Sequence, residues 1–153
     1  MKWKHPPIIK IYEALGSVSD DRVNVDGNTG KVFSSSGQKF YEVSYDPESN
    51  AIMTNDNGSY WQGYLGYPAI AFLIIKGVIS YDEKLGNLLK GIAWKDINQK
   101  FKNDFDKTLR FILESKSEKE KKELQEFVEK VNKEIVEMSL NLLGTKTKPP
   151  EGY

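Results

Sequence analysis

The apolar positions of the chain change period twice. Near the start, Ile8, Ile11, Tyr12 and Leu15 fall on one face of a short helix, with Pro7 suited to its first turn and Gly16 to its stop. From residue 22 to 55 the spacing shortens to two. Val23 and Val25, then Val32 and Phe33, then Phe40, Tyr41, Val43 and Tyr45, then Ile52 predict four short strands. Asp26-Gly27-Asn28-Thr29-Gly30, Ser34-Ser35-Ser36-Gly37 and Asp46-Pro47-Glu48-Ser49-Asn50 separate them with residues that tolerate tight or left-handed turns. An antiparallel meander is the simplest arrangement.

Beyond Asn55-Asp56-Asn57-Gly58 an aromatic, glycine-rich bridge, Tyr60-Trp61-Gln62-Gly63-Tyr64-Leu65-Gly66-Tyr67, leads to Pro68 and a helix over 69–75 that is apolar on every face. A helix without a polar face belongs in the centre of the core. Gly77 fits its left-handed C-terminal cap. Ser80 with Glu83 predicts a capping box for a next helix carrying Leu85, Leu88 and Leu89, closed by Gly91. Ile97, Phe101, Phe105, Leu109 and Ile112 then predict one helix over 95–113 with a wet face at Lys100, Asn103 and Lys107. Ser117 with Glu120 opens a long last helix whose stripe is Leu124, Phe127, Val128, Val131, Ile135, Met138 and Leu142, ended by Gly144. The expected fold is α+β: a short antiparallel β-meander packed on a central apolar helix, with C-terminal helices. Residues 1–144 form one domain and 145–153 a flexible tail. No repeat of solenoid period interrupts this plan.

Composition narrows the chemistry. A chain of 153 residues can bury roughly two thirds of its unfolded surface and needs no staple. With no cysteine, disulfides, thiolate metal sites and cysteine nucleophiles are excluded. Twenty-two basic and 22 acidic residues balance, so attraction to nucleic acid or an anionic surface would need a local patch. The start holds no apolar run, and 69–75 is too short to span a bilayer, so a cytoplasmic location without membrane contact is expected. Lys and Glu outnumber the other charged residues, a thermophile-like bias that the asparagine content weakens.

The stretch Lys31-Val32-Phe33-Ser34-Ser35-Ser36-Gly37-Gln38-Lys39-Phe40-Tyr41-Glu42-Val43, followed by 51–55 and the helix at 66–75, resembles the SWIM-type zinc finger over residues 31–76. In that family a hairpin leads to a Cys-x-Cys pair, and a Cys-x-His pair opens an apolar helix. Here the matching positions are Thr54 and Asp56, then Tyr67 and Ala69, which are not a zinc-ligand set. The resemblance implies a metal-free binding module for nucleic acid or protein in which Tyr67 and the aromatic bridge replace zinc by packing. It implies no catalysis.

Few residues could carry chemistry. His5 is the only histidine and has no second histidine or cysteine to work with. Asp20, Asp21, Asp26 and Asp56 could serve as polar groups of a pocket, although turn caps account for the first three. Neither Asp-Gly nor Asn-Gly turn has the acidic spacing of a calcium loop. Ser34-Ser35-Ser36-Gly37 between Lys31 and Lys39 could present amides and two charges to a phosphate, or be an ordinary hairpin loop with edge lysines. Tyr60, Trp61, Tyr64 and Tyr67 could stack on bases or anchor a peptide, or join the sheet to the apolar helix.

The expected function is a non-catalytic interaction module for nucleic acid or a protein partner. Its contacts would be Lys31, Ser35, Ser36, Lys39, Tyr60, Trp61 and Tyr64, with no metal and no cofactor. Two alternatives stand beside it: a small-ligand-binding protein or enzyme with a pocket between sheet and helices, and a structural homodimer joined through the C-terminal helices.

Overall fold

The computed structural model describes residues 1–151. Gly152 and Tyr153, the end of the expected tail, lie outside the described residues. The fold is α+β, with elements in the order α1 (Ile9–Ser19), β1 (Val23–Asp26), β2 (Thr29–Phe33), β3 (Phe40–Asp46), β4 (Ala51–Thr54), a π-helical turn (Gly58–Gln62), α2 (Tyr67–Ile75), α3 (Glu83–Asn87), α4 (Trp94–Lys100), α5 (Phe105–Leu113), α6 (Glu118–Met138) and β5 (Asn141–Leu142).

The period-two segments pair as a meander in the order β1-β2-β3-β4, each antiparallel to the next. Register puts Val23 opposite Val32 and Val32 opposite Tyr41, so one face collects Val23, Val32, Tyr41, Val43, Ile52 and Thr54, all buried. The other face carries Asn24, Lys31 and Glu42. Helix α2 lies on the buried face, with residues 69–73 wholly enclosed and Pro68 in its first turn. Gly77, at a φ of 78°, follows it as the sequence predicts. Helix α1 packs on α2, and α6 closes the far side of α1 with Leu124, Val128, Val131 and Ile135.

Five expectations change. Gly16 does not stop α1 but lies inside it, because the Trp94 indole packs there: a Cβ would stand 2.8 Å from Trp94 Nε1. Asp82, not Ser80, caps α3 by accepting from Leu85 N; Ser80 is drawn instead to Glu134 of α6. The single helix over 95–113 is two, since Lys102 and Asn103 adopt positive φ and Asp104 caps a new start at Lys107 N. The long helix ends at Met138, where left-handed Ser139 turns the chain into β5. That strand adds to β4 in parallel. The Ser117 and Glu120 capping box forms as expected.

The N-terminal segment is tied down. Trp3 donates through Nε1 to the Ile52 carbonyl at 2.8 Å, and its backbone pairs with Leu140. His5 hydrogen-bonds the Asn132 side chain. In the expected tail, Pro149 is buried and Lys39 Nζ reaches the Pro150 carbonyl.

Candidate functional site

Helix α1 has two characters. Ile11, Ala14 and Leu15 enter the core, whereas Lys10 and Glu13, one turn apart, face a cavity of about 320 Å³. Its other walls are the β2–β3 loop at Ser34 and Ser35, Tyr41 of β3, the turn at Asp56, and α4 with Trp94, Lys95 and Asn98. Tyr67 and Arg22 also line it.

These groups are unusually polar for their burial. Glu13 is 4% exposed, Asp56 5% and Asn98 7%. Lys10 Nζ meets Glu13 Oε2 at 2.8 Å, and Asn98 Nδ2 donates to Glu13 Oε1 at 2.7 Å. Burial pulls the Lys10 pKa down, but Glu13, Tyr64 and Asp56 outweigh it and leave it raised. Asp56 is the knot of the loop that follows β4. It accepts from Thr54 Oγ1 and Ser59 Oγ, each at 2.7 Å, and from Ser59 N at 3.1 Å. Gly66 is required beside it, since a Cβ there would fall 2.0 Å from Asp56 Oδ2.

The two tyrosines on the wall resist ionisation. Burial and the Asp56 charge push the Tyr41 hydroxyl up to about 12, and burial, then Tyr41, raises Tyr67 further. Opposite them, Arg22 Nη1 donates to the Phe33 carbonyl at 2.7 Å and Nε lies 3.4 Å from Asp20. Burial and the neighbouring Lys39 ammonium lower the Lys95 pKa. Asn98 Oδ1 and Trp94 Nε1, on two residues of the wall, are buried without a hydrogen-bond partner among the described residues.

The structure divides the residues expected to form one contact surface. Ser35 lines the cavity, its Oγ accepting from Lys95 N at 3.0 Å, whereas Ser36 is exposed and its Oγ bonds Ser34 Oγ and Gln38 N. Lys39 stands over the Tyr41 ring on the cavity side, while Lys31 stands over Phe40 on the open face of the sheet. Tyr60 and Trp61 meet edge to face at 4.7 Å, with Trp61 63% exposed. Trp61 and Tyr64 line a neighbouring cavity that shares Lys10, Asn57 and Gly58 with the first.

Of the acidic candidates only Asp56 reaches the cavity. Asp20 stands behind Arg22 and accepts from Gly91 N, Asp21 occupies a turn and Asp26 ends β1. Lys10, Glu13, Arg22, Trp94 and Asn98 were not singled out from the sequence. The legible signal was Lys10 and Glu13, two charges three apart within an otherwise apolar helix. The positions matched to zinc ligands hold a hydrogen-bonded Thr54 and Asp56, Tyr67 on the cavity wall and Ala69 inside the core.

Among the described residues no group of three His, Cys, Asp or Glu is placed to hold a metal ion, and no helix is long and apolar enough to cross a membrane. The family model described as "Uncharacterised conserved protein UCP014422" matches residues 3–141, and the chain belongs to that family. No curated protein and no solved structure matches it.

Proposed function

We propose that this chain binds a small polar ligand in the cavity between α1, the β2–β3 loop and α4. The observation that carries the reading is a pair of buried polar atoms on the cavity-lining residues, Asn98 Oδ1 and Trp94 Nε1, that have no hydrogen-bond partner among the described residues. Leaving such an atom unsatisfied costs about 1–3 kcal/mol, and a ligand hydrogen bond would recover much of it. The cavity volume of about 320 Å³ falls at the lower end of ligand pockets, which run from roughly 300 to 1,000 Å³.

The test is amide NMR of the folded protein against a broad panel of small polar metabolites. A binder should move the signals of Ser34, Ser35, Lys95 and Asn98 together and raise the unfolding temperature. A panel that leaves those four signals still would sink the reading.

The exposed Trp61, edge to face with Tyr60, favours a second reading: an aromatic anchor for a protein or nucleic-acid partner, the kind of contact that the SWIM-type resemblance implies. Binding of labelled oligonucleotides that weakens with salt and is lost in Trp61→Ala would support it. Absence of binding at low salt would remove nucleic acid from consideration.

A further inference from the structure

We infer that the ligand of this cavity is an uncharged amide, a primary carboxamide or a lactam, whose carbonyl oxygen accepts from Trp94 Nε1 and whose N–H donates to Asn98 Oδ1. The inference rests on the pocket reading above and names the chemical class that the pocket takes.

Trp94 and Asn98 stand one turn apart on α4, so their side chains emerge on the same face. Both meet α1, at positions three residues apart. Asn98 Nδ2 donates to Glu13 Oε1 at 2.7 Å, and the Trp94 indole packs on Gly16, where a Cβ would stand 2.8 Å from Nε1. Glu13 is an acceptor, so Asn98 must turn its nitrogen towards it, which leaves Oδ1 as an acceptor. Gly16 has no side chain to offer the indole, which leaves Nε1 as a donor. Trp94 is 3% exposed and Asn98 7%, so neither atom turns to bulk solvent instead. One helical turn thus carries an unanswered donor and an unanswered acceptor.

The charged groups of the wall are engaged within the chain. Lys10 pairs with Glu13 at 2.8 Å, Asp56 accepts from Thr54 and Ser59, Arg22 lies between the Phe33 carbonyl and Asp20, and Lys95 has partners of its own. What remains is a neutral pair of opposite hydrogen-bonding sense. A carboxylate would answer Trp94 but set a lone pair against Asn98 Oδ1, and an ammonium would answer Asn98 but set a donor against the indole N–H. An amide carries C=O and N–H on adjoining atoms and answers both. Tyr41 and Tyr67, edge to face at 6.2 Å, add flat apolar surface to the same wall, which suits a planar group.

The experiment titrates the folded chain by nitrogen–proton NMR with four five-membered rings of similar size: 2-pyrrolidinone, which has both groups, cyclopentanone, which lacks the donor, pyrrolidinium, which lacks the acceptor, and cyclopentanol. The signals followed are the backbone amides of Ser34, Ser35, Lys95 and Asn98 and the indole N–H of Trp94, one of three tryptophans, assigned with Trp94→Phe. 2-Pyrrolidinone should move all five and shift the indole proton downfield as it gains an acceptor. Cyclopentanone should bind about fivefold more weakly, the worth of one hydrogen bond. Asn98→Ala should abolish that preference, and Trp94→Phe should weaken both ligands about fivefold; the wild-type comparison and the indole signal stand if either variant fails to fold. Cyclopentanone, pyrrolidinium or cyclopentanol binding as tightly as 2-pyrrolidinone, or an indole signal that stays still while the backbone signals move, would overturn the amide assignment and leave the pocket reading intact. So would backbone signals that answer charged members of the broad panel and not 2-pyrrolidinone. Silence of the four backbone signals towards these probes and the broad panel alike would overturn both inferences.

Discussion

The two faces of α1 are built on opposite principles. Towards α2 and α6, Ile11, Ala14 and Leu15 join a dry core in which residues 69–73 are wholly enclosed, and stability there follows from apolar area and close packing. Towards α4, Lys10 and Glu13 join Asn98, Asp56 and two tyrosines around a cavity, where each polar group withdrawn from water needs a partner. The same helix thus separates a region whose composition is explained by folding from one that folding alone does not require. A buried ion pair can often be replaced by apolar residues of similar size without loss, so stability alone does not account for this one.

The contrast can be broken at both ends. The largest effect is expected on the dry side. Phe72→Ala removes a fully buried ring that meets Tyr45 edge to face at 6.2 Å, and should cost about 3–5 kcal/mol in urea unfolding. A loss under 1 kcal/mol would mean that the core collapses around the gap and is not the rigid half of the comparison. On the polar side Glu13→Leu strands Lys10 and the Asn98 amide, and should cost about 2 kcal/mol, less than a fully buried pair because the Lys10 side chain keeps 14% of its exposure. Lys10→Met with Glu13→Leu should recover the part of that loss that comes from the stranded Lys10. If the double variant is no more stable than the single, the pair contributes to folding in its own right and the distinction between the two faces fails.

How far each region could be read from the sequence follows the same division. Strands and central helix were legible because burial imposes period on Val23, Val32, Tyr41 and Val43 and removes polarity from 69–75. What escaped depended on tertiary partners. Gly16 looked like a helix stop because its reason for being glycine, the Trp94 indole, lies far along the chain. Ser80 scored as a cap until Glu134 competed for it. The break between α4 and α5 was hidden by apolar residues that keep helical spacing across it, and β5 is too short to show a period. The candidate site was the least legible part. Asp56, Ser35 and the tyrosines were noticed, but Lys10 and Glu13 of α1, Arg22 before β1 and Asn98 of α4 come from three separate segments, and no local pattern joins the three.

The smallest expected effect concerns the tyrosines that line the polar side. Tyr41 ionises near 10 when the chain is unfolded and at about 12 in the fold, where burial and the Asp56 charge oppose the phenolate. Between those values the folded state holds a proton that the unfolded state has released. Unfolding then becomes easier as pH rises: the stabilisation is complete below pH 10 and is lost on the way to about 12. Urea titrations at pH 9 and 11 should differ by on the order of 1 kcal/mol from this group. Tyr67, Tyr64, Tyr12 and Tyr81 are raised too and add in the same direction. Tyr41→Phe should therefore reduce the alkaline loss without abolishing it. An identical loss in the variant would show that Tyr41 ionises freely, and that the cavity wall is wetter than its burial implies. Ultraviolet titration of the phenolates in folded protein provides the independent check, since a tyrosine held by the wall must titrate above those in the urea-unfolded chain.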